Sequence, residues 1–344
     1  MSKKKLSFML AGITTFSAIA VTTPYSKTLQ IQKTASAAKT YTISPNSAVY
    51  KGNHKNASAY NSTTKQYFLI RSYLEMFEKK GGGKLILKKG TYKISNVLYI
   101  PSNVTIELKD GVTFKNMKYG HFIEMDASNN VVVNNCTFTG YKSSKRHTSE
   151  AINLDTHDKK TKGFTHDWSK YDCTANKNVK ITNCTFSNLE KAIGTHQYSV
   201  KKYHTNITIS DCTIKNCVSG AIEMMNWKNI SLNNIKFINI GKNSKGKYTS
   251  FDKSNTTRAI LIRGGVSKIT VEGCSFKNIP RVIQCMPWKN QNTATKYPII
   301  YNKITKDEYE AIASKNKIIS GVDVPYIIVN SRYNDYGYPT KYYF

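Results

Sequence analysis

The feature that most restricts this chain is a nine-residue pattern that recurs five times. Aligned on one position, the segments read NVVVNNCTF (130–138), NVKITNCTF (178–186), NITISDCTI (206–214), NISLNNIKF (229–237) and KITVEGCSF (268–276). Each alternates β-branched and polar residues with period two, passes a turn pair, and resumes with Cys or Ile followed by a polar and an apolar residue. That pattern reads as strand, bend, strand. Cys136, Cys184, Cys212, Ile235 and Cys274 share one column, as expected if successive turns stack identical positions inside a solenoid.

A second strand family follows the first: EAINLD (150–155), KAIGTH (191–196), GAIEMM (220–225), RAILIR (258–263) and RVIQCM (281–286). Two strand elements in each short turn specify a parallel β-helix rather than a helical or leucine-rich repeat. The longer spacings mark insertions at roughly 141–149, 156–175 and 241–257, all flanking the second family. Insertions gathered on one side of a solenoid predict a binding face there.

Residues 81–114 supply further period-two strands, read as the opening coils. Before them, 64–80 carries Phe68, Leu69, Leu74, Met76 and Phe77 behind Thr63 or Thr64 as N-cap, with Gly81 as the stop. A helix there is expected to plug the end of the core, which otherwise exposes apolar surface and strand edges. The Tyr-rich stretch 291–344 lacks the repeat and is expected to close the other end. Coils are thus predicted over 81–290, within a single domain spanning 38–344.

Residues 1–37 lie outside that domain. Met1 to Lys5 is basic and Leu6 to Ala20 apolar, the order of an export signal. The run is short for a membrane span and nothing later is longer, so the mature chain is expected to be secreted, without a transmembrane segment. The full chain carries 51 Lys plus Arg against 21 Asp plus Glu, and losing the five Lys of the leader lowers its formal charge from +30 to +25. A polyanionic partner is expected, either an acidic polysaccharide or an anionic cell-wall polymer, the latter leaving the protein associated with the wall. Export and the lack of a recognition motif argue against nucleic acid. A monomer is expected. The seven cysteines lack metal-ligand spacing and read as small core residues.

These residues carry a resemblance. The GGGKLILKKGTY run from Gly81, the Pro101-Ser-Asn turn before VTIELKDG and the N-V-x-I-x-N-C-T-F coils resemble right-handed parallel β-helix proteins of the pectin-lyase-like superfamily, over about 80–290. The resemblance implies an all-β, right-handed solenoid. It does not single out a substrate, since the superfamily spans lyases, hydrolases, epimerases and phage tailspikes.

Strand alternation directs Ile152 and Leu154 inward and Asn153 and Asp155 outward, with Gly194, His196, Glu223, Met225, Leu261, Arg263, Gln284 and Met286 outward on neighbouring coils. An acid, an imidazole and a guanidinium then share one wall. Hydrolysis of a glycosidic bond needs one carboxyl to protonate the leaving oxygen and, for inversion, a second some 6.5–9.5 Å away to activate water. Asp155 and Glu223, two coils and one column apart, suit that division, with His196 orienting Asp155. Arg258 and Arg263 are the expected clamp on a sugar carboxylate, with Glu150, Asn153 and Lys191 beside them and Trp227 as a face for stacking a sugar ring. Asn153-Leu-Asp155 and Gly194-Thr-His196 resemble the Asn-x-Asp and Gly-strand His of polygalacturonase-type hydrolases, which implies catalytic roles for Asp155 and His196. The tandem Asp pair of those enzymes has no counterpart, because no Asp-Asp dipeptide occurs. No cofactor is called for by hydrolysis. The alternative chemistry, β-elimination on a uronic acid polymer, calls for a desolvated base and often Ca²⁺, for which Glu150, Asp155, Asp158 and Asp167 are the nearest oxygen donors. The remaining alternative is a non-catalytic solenoid that binds wall polymer or polysaccharide.

Overall fold

A computed structural model describes residues 39–109, 111–117, 121–126, 128–140, 150–155, 175–195, 203–249, 257–285, 306–329 and 341–343, with backbone alone at 121, 126, 155, 306, 329 and 341–343. The strands form a parallel β-helix with three faces. The first face is an eight-stranded parallel sheet in the order Thr40–Ile43, Gly83–Leu87, Val104–Leu108, Asn129–Asn134, Lys177–Thr182, His204–Ser210, Trp227–Asn233 and Ser267–Glu272. The second face stacks Gly90–Ile94, Val112–Asn116, Thr137–Thr139, Thr185–Ser187, Thr213–Lys215 and Lys236–Ile238; the third stacks Leu98–Tyr99, His121–Asp126, Glu150–Asp155, Lys191–Gly194, Gly220–Met224 and Arg258–Ile262. Ser275–Cys285 runs through both of these and joins them. The described residues fall within one unit, Ala38–Phe344.

Register follows from side-chain identity. Phe114, Phe138, Phe186, Ile214, Phe237 and Phe276 superpose on the second face, all fully buried. Phe138 stacks on Phe186 at 5.1 Å and Phe237 on Phe276 at 5.0 Å, nearly coplanar in each pair. On the third face Ile123, Ile152, Ile193, Ile222, Ile260 and Ile283 form an unbroken ladder, so the Ala-Ile segments lie one above another. The column of Cys136, Cys184, Cys212, Ile235 and Cys274 is 0–1% exposed. The six described cysteines are free thiols. A one-residue slip would exchange these columns for polar ones.

Each corner turns on a residue with left-handed backbone, a conformation Asn tolerates better than other side chains. Asn103 just before its first-face strand, and Asn130, Asn178, Asn206 and Asn229 within the first three residues of theirs, have φ near +58°, and each amide from Asn130 onward donates to the preceding Oδ1 at 2.7–3.0 Å. Asn188, Asn216, Asn239 and Asn278 repeat the device between the second and third faces.

Helix α1, Lys65–Lys80, packs on the first coil and buries Phe68, Leu69, Leu74 and Phe77. Gly81 ends it at φ +82°, and Gly83 must be glycine because an added Cβ would lie 2.1 Å from the Phe77 ring. Thr64 occupies the N-cap position, yet its hydroxyl donates back to Ala59 O at 2.6 Å rather than accepting from the helix. At the far end, helix α2, Lys306–Ser314, packs on Ser267–Glu272, where Glu308 Oε1 accepts from the Ile269 amide at 3.1 Å. The stack extends past the last legible repeat: Lys317–Val329 pairs in parallel with Ser275–Cys285 and carries Lys341–Tyr343 antiparallel on its other side. The leader, residues 1–37, lies outside the described residues. Among those described, no helix is long and apolar enough to cross a membrane.

Candidate functional site

The third face gathers the ionisable side chains. In its first column Glu150, Lys191, Gly220, Arg258 and Arg281 follow one another by register, and three residues on run Glu124, Asn153, Gly194, Glu223, Leu261 and Gln284. Lys191 lies 3.5 Å from Glu150 Oε1 and pairs with Glu223 Oε2 on the next coil; Arg263 takes the other oxygen, Oε1. The chain of contacts is therefore Glu150–Lys191–Glu223–Arg263, and its four charges cancel. The carboxylate and ammonium side chains are only 8–16% exposed.

Burial sets the energetics of this chain. For Glu223 desolvation pushes the carboxyl up, but attraction to Lys191 and then to Arg263 outweighs it and holds the group below the usual carboxylate range. For Lys191 burial pulls the ammonium down, and Glu223 with Glu150 more than reverses this, raising it above its ordinary value. Glu223 is therefore held ionised at neutral pH, with a cation on each oxygen. It is ill suited to donate a proton to a leaving oxygen.

At the coil of Ser275–Cys285 the pattern changes. Arg281 lies between Arg258 and Val324 in register, and its Nε is buried without a hydrogen-bond partner. Gln284, 9% exposed, likewise has a buried Oε1 that nothing bonds. By analogy with Lys191, which reaches Glu223 one coil on and three residues along, the position that Arg258 would reach is occupied by Gln284. No carboxylate meets Arg281 among the described residues.

The sequence-predicted residues fare differently. Glu150, Asn153, Lys191, Glu223, Arg258 and Arg263 sit on the third face in the expected register. Asp155 is placed by backbone only, opposite Asp126 at the end of its strand, while His196, Asp158 and Asp167 lie outside the described residues. Trp227 is corrected. It opens a first-face strand, is fully buried, and donates from Nε1 to Thr195 Oγ1 at 2.6 Å; Thr195 in turn donates to Leu154 O at 2.7 Å. Its ring is core and offers no stacking surface. Met225 and Leu261, expected to face solvent, are 0% and 4% exposed, and Asn153 is 0% exposed. Alternation fixes the side of the strand a residue takes, not whether that side meets water.

Sequence reasoning missed Arg281 and Glu124, and placed Gln284 on this wall without giving it a role. Glu124, 3% exposed, pairs with Asn153. Its signal was present: FIEMD (122–126) aligns with AINLD (151–155) as a further member of the second family. Among the described residues no three of His, Cys, Asp and Glu converge as metal ligands, and Glu150, named above as a Ca²⁺ donor, lies against Lys191.

No family model matches this chain, and no curated protein matches its sequence. Among solved structures it is similar to PfbA, a surface adhesin of Streptococcus pneumoniae, at 14% identity over 84% of this chain and 80% of that one, with a TM-score of 0.45. It is similar to an iota-carrageenase from A. fortis at 12% identity over 73% and 64% of the two chains, TM-score 0.40. A tailspike protein of E. coli bacteriophage HK620 is 14% identical over 79% and 44%, TM-score 0.39. Likenesses this distant add nothing to the architecture described above.

Proposed function

We propose that the protein is a secreted enzyme that binds an acidic polysaccharide across the third face and hydrolyses its glycosidic bonds. The observation that carries this reading is the Ser275–Cys285 coil of that face, where the buried Nε of Arg281 and the buried Oε1 of Gln284 have no partner. A buried polar atom left unbonded costs about 1–3 kcal/mol, and turning the Arg281 guanidinium and the Gln284 amide outward onto a sugar carboxylate or sulfate and a ring hydroxyl would relieve it. In this reading Asp155 supplies the proton to the leaving oxygen and His196 orients it. Glu223, held ionised, acts as a fixed negative charge near the developing positive charge at the anomeric carbon.

The saturation of Glu223 by Lys191 and Arg263 favours a second reading. There the face is a binding surface only, and the charge chain is scaffold. Incubating the protein with a panel of acidic glycans and measuring new reducing ends separates the two. The enzyme reading expects release that Asp155→Asn lowers by orders of magnitude while glycan affinity persists. Release with new absorbance near 235 nm, roughly where a conjugated unsaturated uronate absorbs, would replace hydrolysis with elimination. Binding without release on any glycan would leave the binding surface.

A further inference from the structure

The second face carries charge in a form the third does not. Its strands read GTYKI, VTFKN, TFT, TFS, TIK, KFI and the opening of SFKNIPRVIQC, without one Asp or Glu. The residues between the buried aromatic positions point outward, and apart from Ile238 they are threonines, serines and lysines. Lys93 pairs with Lys115 on the first two coils. From the fifth coil onward there is one lysine on each strand: Lys215, then Lys236 one column across, then Lys277, then Lys317 on the strand that follows. Strands lie about 4.8 Å apart, so these four ammonium groups form a zigzag line along the solenoid axis. All four are exposed, and among the described residues none has an ion-pair partner. The acids at the adjoining corner are already engaged: Glu272 with Lys315 at 3.2 Å, and Asp211 accepting from Asn234 at 3.1 Å.

We propose that this lysine line is a docking surface for a linear anionic glycan, separate from the third face. Repulsion among unpaired like charges in a row is relieved by an extended polymer whose anions recur at about the spacing of one sugar unit. Among its described residues the face turns no aromatic side chain outward, so it lacks the stacking platforms on which single-stranded nucleic acids rest. Its threonine and serine hydroxyls bond to sugar hydroxyls at little cost.

The test uses the whole mature chain with two probes of different anion, sulfated heparin and carboxylated polygalacturonate, and with oligo-dT as the nucleic-acid arm. Four lysine contacts give log K against log salt a slope of roughly −3, a loss of about 60-fold between 50 and 200 mM salt. Changing Lys215, Lys236, Lys277 and Lys317 together to Gln is expected to weaken glycan binding at least tenfold at low salt and flatten that slope. The matched variant, with Lys177, Lys180, Lys245 and Lys268 changed to Gln, removes equal charge elsewhere and is expected to bind as the parent does. Binding both anions through the same lysines supports a charge-read surface, and binding one alone names its anion. Equal losses in the two variants would mean that binding follows net charge and would overturn the proposal. So would tighter binding of oligo-dT than of either glycan. Asp155→Asn leaves this binding intact whichever reading of the third face holds, so the two proposals fail separately.

Discussion

The second and third faces are built by the same coils and share one corner, yet they treat charge in opposite ways. On the third face Glu150, Lys191, Glu223 and Arg263 are sunk against one another until their charges cancel. On the second, Lys215, Lys236, Lys277 and Lys317 stand in water without an ion-pair partner among the described residues, and the one acid on their strands, Asp323, is held by Lys242 and Tyr248. The difference teaches that a large net charge says little about where a site is. Buried, mutually held ions fix side chains in place, whereas exposed unpaired ones leave a field that reaches outward.

The largest expected effect lies on the buried side. Glu223→Ala leaves Lys191 and Arg263 without their shared anion and is expected to cost about 3–5 kcal/mol, read as a fall in the urea midpoint. A change below 1 kcal/mol would show that water enters this face freely and would erase the contrast. Acid sensitivity comes next. Because the folded state holds Glu223 below its unfolded pKa of about 4.3, its stabilisation is complete above that value and is lost as pH falls through the lowered one. Lys191, raised in the folded state, contributes fully below about 10.4 and loses its share only as pH rises through the higher folded value. Midpoints measured across pH are therefore expected to hold between these limits and drop on the acid side, with Glu223→Gln flattening the acid limb.

A smaller effect is expected at the corner joining the two faces. Asn216, at φ +57°, accepts from Asn239 Nδ2 at 2.9 Å; Asn216→Ala is expected to cost about 1–2 kcal/mol through the left-handed backbone and the broken ladder. Asn216→Gly should recover the backbone part, and a Gly variant no better than Ala would assign the whole effect to the ladder. Smallest of all, Lys215→Gln is expected to shift stability by no more than about 0.5 kcal/mol. A larger loss would mean that the second-face lysines are structural.

Much of the architecture was readable before any coordinates. The Cys136, Cys184, Cys212, Ile235 and Cys274 column is core, and the Ile152, Ile193 and Ile222 segments superpose, because a period of two and a fixed coil length leave a stacked chain few registers. The site was less legible. Trp227, expected as a stacking face, instead opens the next first-face strand, since the chain turns at Asn226, at φ +56°, and the indole is carried inward. Arg281 was not singled out and Gln284 was given no role, because their signal is a missing partner, and strings of letters do not record partners.

From its amino acids alone this protein was bound to wind into stacked parallel coils, since alternation, asparagine corners and repeated apolar columns are local and act on every turn alike. Three-dimensional packing decided which charges are buried against each other and which are left facing solvent. That depends on residues far apart in the chain meeting across coils, and on what covers each wall, neither of which a local pattern contains.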